Sequence, residues 1–293
     1  MIAVGLLAHN KPDCIADTVA SLRHYIDDPR IVLFNGGSDQ SLTAVAAKLG
    51  LDYCRYSKPL QHGKLIDFHV GLMKHLAEDN WPYEYMVTLD SDMLLVRDGF
   101  EAFLNGQMQA SDYMATNFHY LGQLPDWEVG RYFLHYWRHW KPLFGDVRPA
   151  GCFNPGQIFR RSLVDRLLEF PSLPAVLQAA RASRLPALEE TIYSTLAVAL
   201  RANPMTNPGT AAISLRMHNS RQLTAFLKDP FIFLVHKVQM EIDSPDRAFL
   251  RAVREGRSPQ EFVIANGRRK GNVPAALARR ICKDLYYKCL IRA

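Results

Sequence analysis

The sequence predicts an α/β fold, a mostly parallel central sheet flanked by helices, with a helical C-terminal tail. Three observations lead there. In the first ninety residues, apolar runs of strand length alternate with segments of helical period, the pattern of βαβ units. The strand-like runs end in small or polar residues: His9-Asn10, Asn35-Gly36-Gly37 and Asp90-Ser91-Asp92. The 293 residues, 48% hydrophobic, suffice for one large core.

In order, Ile2 to Ala8 is a continuous apolar strand, and Ile15, Val19, Leu22 and Ile26 mark the first helix. "RIVLFNGG" is a second strand ending in a glycine turn. "SLTAVAAKLG" is a short helix stopped by Gly50, and "LDYCRYS" a third strand. "GKLIDFHVGLMKHLAED" places Leu65, Phe68, Leu72 and Leu76 on one face, and "YEYMVTLD" is the fourth strand. The second half is less regular. "DYMATNFHY" and "GCFNPGQIFRRS" read as strands, the latter followed by a helix to Phe170. "LPALEETIYSTLAVAL" is a helix from about Ala187 with Leu188, Ile192, Leu196 and Leu200 on one face, and "PFIFLVHKVQM" is a late strand. Phe133, Trp137 and Trp140, in an aromatic stretch from 127 to 144, have helical spacing and read as core.

Composition narrows the function. The net charge is +6, but residues 268–293 hold eight Lys or Arg and one Asp, leaving the other 267 residues at −1. A near-neutral body argues against a nucleic-acid face. No apolar run reaches the roughly 20 residues of a membrane span. The N-terminus lacks a basic n-region and a cleavage pattern, and reads as a strand rather than a signal peptide. Five scattered cysteines without a C-x-x-C pair fit reduced thiols in a cytoplasmic protein and no zinc site.

Ligands of such sheets gather at the carboxyl ends of the strands, where the three polar tips converge. Residues i and i+2 of an extended segment point the same way, so Asp90 and Asp92 face one ligand if the strand persists through them. Hard divalent cations take such carboxylates together with phosphate oxygens. An ordinary solvated turn also carries Asp.

"LFNGGSD", "QHGKLIDFHVGL" and "VTLDSD", in this order, resemble the nucleotide-sugar half of a GT-A glycosyltransferase, especially the inverting family that includes cellulose and chitin synthases. The resemblance implies a catalytic domain over 1–245, with a nucleotide-binding half (1–95) and an acceptor-binding half (96–245), before a basic tail (246–293). It implies a nucleoside-diphosphate sugar donor, UDP-linked by preference, and a saccharide or lipid-linked acceptor. Nucleotide contacts fall to His9, Asn10, Asn35, Gly36, Lys64, Asp90 and Ser91. Asp90, Asp92 and His236 hold Mn²⁺ or Mg²⁺. Asn35 stands where the family usually has Asp, and His69 where it has Asn, so this chain is divergent.

Glu189 and Glu190 stand where inverting members carry a general base, with Glu190 favoured by the motif; the helix dipole alone also accounts for two acids there. Gly151, Asn154 and Gly156 resemble the donor-sugar and acceptor pocket, with an ordinary turn as the alternative. Trp127 is an acceptor-stacking candidate. Arg160 and Arg161 meet either phosphate or solvent. The tail helix, with Leu277, Ile281, Leu285 and Cys289 on one side, lies on an anionic membrane surface or packs on protein. A peripheral site at the inner membrane face fits a lipid-linked acceptor in polysaccharide or glycolipid assembly. The rivals are a retaining GT-A enzyme, a silent membrane-associated scaffold and a nucleotidyltransferase. The last normally has a basic glycine-rich loop after the first strand, which "LLAHNKPD" lacks.

Overall fold

The computed structural model describes residues 1–61, 63–124 and 126–257. The first half runs β1 (Ile2–Ala8), α1 (Pro12–Tyr25), β2 (Arg30–Asn35), α2 (Leu42–Leu49), β3 (Asp52–Tyr53), α3 (Ile66–Glu78) and β4 (Tyr85–Asp90). Then come β5 (Met93–Leu95), α4 (Phe100–Gln107), β6 (Tyr113–Tyr120), α5 (Glu128–His135), α6 (Trp137–Phe144), β7 (Ala150–Arg160), α7 (Arg161–Leu168) and α8 (Leu173–Ala182). α9 (Glu189–Ala199), β8 (Met205–Thr206), α10 (Ser220–Lys228), β9 (Leu234–His236) and α11 (Pro245–Arg254) complete the chain described.

The main sheet has the order β3-β2-β1-β4-β7-β6-β8. β3, β2, β1 and β4 are mutually parallel, β7 runs antiparallel to β4 and β6, and β8 is parallel to β6. The fold is thus mixed α/β with a mostly parallel sheet. From β1 the chain steps outward to β2 and β3, then returns to place β4 on the other side of β1. The crevice between the carboxyl ends of β1 and β4 is therefore the topological switch point.

Alternation along β1 builds a core on each face. Ala3 and Leu7 pack with Phe68, Leu72 and Leu76 of α3, while Ile2, Val4, Leu6 and Ala8 pack with Ile15, Val19 and Leu22 of α1. Phe133 and Trp140 are core, stacked at 5.3 Å, and Trp137 is half-buried beside them.

Several elements differ from their sequence reading. The third strand shrinks to Asp52–Tyr53, because a turn closes at once with Ser57 N–H donating to Cys54 O at 3.0 Å. The late strand is only Leu234–His236 and leaves the main sheet to pair with β5. α9 is buried on every side from Glu189 to Ala197, not along one face. Its polar residues bond inward, Tyr193 to Ile66 O at 2.8 Å and Thr195 to Ala150 O at 3.2 Å. The segment read as the start of the tail is packed: α11 sinks Arg247 completely into the body. The amphipathic tail helix lies outside the described residues. Among the described residues no helix is long and apolar enough to cross a membrane. Cys14, Cys54 and Cys152 are free and buried.

Candidate metal and nucleotide site

The strand does not persist through the two aspartates. β4 ends at Asp90, a turn holds Ser91 and Asp92, and β5 starts at Met93. The carboxylates nevertheless converge, because the turn is fixed on three sides. Ser91 N–H donates to Leu7 O of β1 at 3.0 Å, and Val238 N–H donates to Asp92 O at 2.9 Å. Ser91 O accepts from Thr18 Oγ1 at 3.1 Å and from Arg247 Nη2 at 2.7 Å. Ser91, expected at the nucleotide, is turned inward and braces the loop, its hydroxyl lying 3.9 Å from Met240 Sδ.

His236 arrives through the β5–β9 ladder, which pairs it with Met93, next to Asp92. Its carbonyl accepts from Ser214 N–H and His218 Nε2, both at 2.8 Å. Ligand atoms of Asp90, Asp92 and His236 all lie within 4.8 Å of one another. His236 Nε2 is 3.5 Å from Asp92 Oδ1. Asp92 Oδ1 and His236 Nδ1 are buried without a hydrogen-bond partner among the described residues. A buried carboxylate oxygen left without a hydrogen bond, as Asp92 Oδ1 is, is costly unless a ligand completes it. Two hard oxygens and an imidazole fit Mn²⁺ or Mg²⁺. Burial lowers the His236 pKa, opposed by the Asp92 charge, which keeps the ring neutral as a ligand must be. Lys237 Nζ lies 3.7 Å from Asp92 Oδ2, a cation that sequence reasoning missed although it directly follows His236.

Two carboxyl groups are pushed up. Asp90 rises to about 7, first through burial and then through Asp92 and Glu189 nearby, with Lys237 opposing. Glu189 rises to about 7 because it is buried, although backbone N–H groups, Leu65 among them at 3.2 Å, stabilise its charge. Glu190 turns the other way: its Oε1 accepts from Asn154 N–H of β7 at 3.3 Å. The adjacent glutamates thus diverge, Glu189 toward the start of α3 and an open cavity, Glu190 toward the "GCFNPG" segment.

The remaining candidates divide. His9 and Asn10 are exposed at the tip of β1, and a Cβ on Gly36 would lie 2.7 Å from the His9 ring, so that glycine lets His9 lie over β2. The Asn35 amide is committed to its own loop, accepting from Gly37 N–H at 2.9 Å and donating to Asp39 O at 2.8 Å. An Asp there has no N–H for the second bond. Trp127 and Gly151 come together: a Cβ on Gly151 would sit 2.3 Å from the indole. Asn154 accepts from Gln157 Nε2 at 2.8 Å, in a buried network with Tyr113 and His69 whose spacing gave no sequence signal. Burial pushes His69 down to about 4, so it is a neutral member. Gly156 has φ +77°, a conformation that side chains resist, where β7 bulges against β6. Arg160 and Arg161 are not at the site. β7 is antiparallel to β4, so its last residues lie at the opposite end, where Arg160 pairs with Glu84 at 3.0 Å and Arg161 donates to Asn80 at 3.0 Å.

No family model matches the chain, and no curated protein does. Among solved structures, glucosyl-3-phosphoglycerate synthase from Mycobacterium tuberculosis, in complex with Mn²⁺, UDP and glucosyl-3-phosphoglycerate, is 15% identical. The match covers 88% of this chain and 81% of that one, with a TM-score of 0.40. The galactosyltransferase LgtC, in complex with donor and acceptor sugar analogues, is 11% identical over 87% of this chain and 96% of its own, at 0.44. An active-site mutant of LgtC, Q189E, is 12% identical over the same shares, at 0.47. The functional reading rests on the side chains themselves.

Proposed function

We propose that this chain is a divalent-metal-dependent glycosyltransferase that moves a sugar from a nucleoside diphosphate, UDP by preference, to a hydroxyl of a saccharide or lipid-linked acceptor. One observation carries the reading: the Asp90, Asp92 and His236 cluster, with His236 Nε2 turned to Asp92 and Asp92 Oδ1 buried without a hydrogen bond among the described residues, at the sheet's switch point. Asp92 and His236, with Asp90, would hold Mn²⁺ or Mg²⁺. Such a metal, when bound, supplies positive charge against the leaving diphosphate. Asp90 belongs to the metal cluster and also feels the charge of Glu189.

Glu189 is the general base in this reading. It lines an open cavity and is held near pH 7 by its surroundings, where a base works best. Motif position favoured Glu190, but the Glu190 carboxylate accepts from the β7 backbone at Asn154 N–H. The kinship with the inverting family of cellulose and chitin synthases belongs to the same proposal, as does inversion itself. The test is turnover of a panel of nucleotide sugars with Mn²⁺, reading nucleoside diphosphate release and the anomeric configuration of the product. Glu189→Gln should lower transfer about 10²–10⁴-fold, the usual size of general-base catalysis. A loss under about tenfold in Glu189→Gln, or a retained configuration, contradicts the base assignment, and a large loss confined to Glu190→Gln moves it to Glu190.

A further inference from the structure

Apart from the metal cluster, one cavity carries a charge that a metal-held nucleotide leaves unexplained. It encloses about 330 Å³ between the loop after β3 and the end of α8, and Glu189 forms part of its wall. Lys58, Arg181 and Lys64, the last expected at the nucleotide, also line it, so three cations face the two carboxylates of Asp67 and Glu189. Asp67 Oδ1 accepts from Arg181 Nε at 3.0 Å and Nη2 at 2.6 Å, while Lys58 Nζ lies 2.7 Å from Oδ2. One aspartate thus orients two cations and neutralises one. Lys64 Nζ donates to Ser183 O at 3.2 Å, and no carboxylate lies within ion-pair distance of it among the described residues.

Oriented cations in excess on a concave wall select an anion. The diphosphate is not its natural occupant. A metal on Asp92 and His236 draws phosphates to itself, and neither the loop after β3 nor α8 contributes to that cluster. A nucleobase is uncharged and calls for no excess of cations. An acceptor must bring its hydroxyl to the base, and this cavity touches Glu189.

We propose that the cavity is an oxyanion subsite, separate from the metal-held nucleotide, that receives a phosphate or carboxylate group of the acceptor. The inference rests on Glu189 serving as base in the transfer proposed above. It makes the acceptor an acidic molecule, the phosphate or carboxylate seated against Arg181 and Lys64 and the reacting hydroxyl at Glu189.

The test is calorimetric titration of the full chain with inorganic phosphate, with and without saturating UDP and Mg²⁺, on wild type, Arg181→Gln and Lys64→Met. Arg181 and Lys58 are half-exposed, so Arg181→Gln leaves the core intact. Phosphate should bind while UDP and Mg²⁺ are in place, and weaken about tenfold in each variant, as loss of a charge-assisted bond predicts. UDP affinity should survive in Arg181→Gln. Mutual exclusion of phosphate and UDP would overturn the proposal by assigning the cavity to the donor. Absence of phosphate binding, or binding indifferent to both substitutions, would overturn it as well. Phosphate binding that depends on Arg181 and Lys64 in a protein that ignores UDP would uphold the subsite, and the glycosyltransferase reading would be what fails.

Discussion

At the scale of the residue, the site is a problem of crowded carboxylates. Asp90, half-buried at the end of β4, is drawn out of water and feels the charges of Asp92 and Glu189, and its pKa rises from 3.8 to about 7. A carboxyl whose folded pKa is raised holds its proton more tightly in the native state. Stability from this group is therefore present at low pH and lost as pH rises between the unfolded value and about 7. Glu189, raised from 4.5 to about 7, acts in the same direction and window. The metal-free protein should accordingly melt at a lower temperature at pH 8 than at pH 5.5, and Asp90→Asn should flatten that dependence. Mn²⁺ affinity should rise over the same interval, since the ion displaces the proton. Equal melting temperatures across the range in wild type would show that the carboxylates are not crowded as described. The sequence disclosed Asp90, Asp92 and His236 through residue type and place after a strand. It did not disclose the orientation of Ser91 or Asn35, because local hydrogen bonds to Arg247, Thr18, Gly37 and Asp39 set those.

At the scale of the element, the metal loop is held from behind by α11. Arg247 is fully buried and bonds Asp17 Oδ2 at 3.0 Å, Gln239 O at 2.6 Å and Ser91 O at 2.7 Å. Arg254 joins it at Asp17 Oδ1 at 3.1 Å, so one buried aspartate of α1 gathers cations from α11. Removing one partner of such a pair leaves the other charge buried alone. Arg247→Met should cost about 3–5 kcal/mol of stability in urea unfolding. Its native fraction should also bind Mn²⁺ more weakly, because Ser91 loses its brace. A variant as stable as wild type would refute the description of α11 as part of the body. Nothing in the sequence pointed to this pair: Asp17 and Arg247 are 230 residues apart, and a charged face on a late helix reads as solvated. The βα alternation of the first half was legible because each period reports a local burial pattern. β9 was legible as a strand but not in its pairing, which depends on β5, a three-residue element too short to show a period.

At the scale of the whole molecule, topology brings together what the chain separates. The switch between β1 and β4 sets Leu7 beside Asp90, β9 carries His236 back to Asp92, and Asp90 feels the charge of Glu189 at the start of α9. Parallel strands made the convergence of strand tips predictable, while the antiparallel β7 sent Arg160 and Arg161 to the far end. Reversal of a strand is a tertiary outcome that no local pattern records. The central claim is a nucleotide held through a metal at Asp90, Asp92 and His236. It is tested most directly by melting the protein with UDP, GDP, CDP and dTDP, each with and without Mn²⁺, in wild type and Asp92→Asn. Ligand binding to the native state alone raises the melting temperature by mass action. The account predicts a rise with one nucleotide, UDP by preference, that requires Mn²⁺ and vanishes in Asp92→Asn. No rise with any nucleotide, or a rise that ignores both the metal and the substitution, would contradict it.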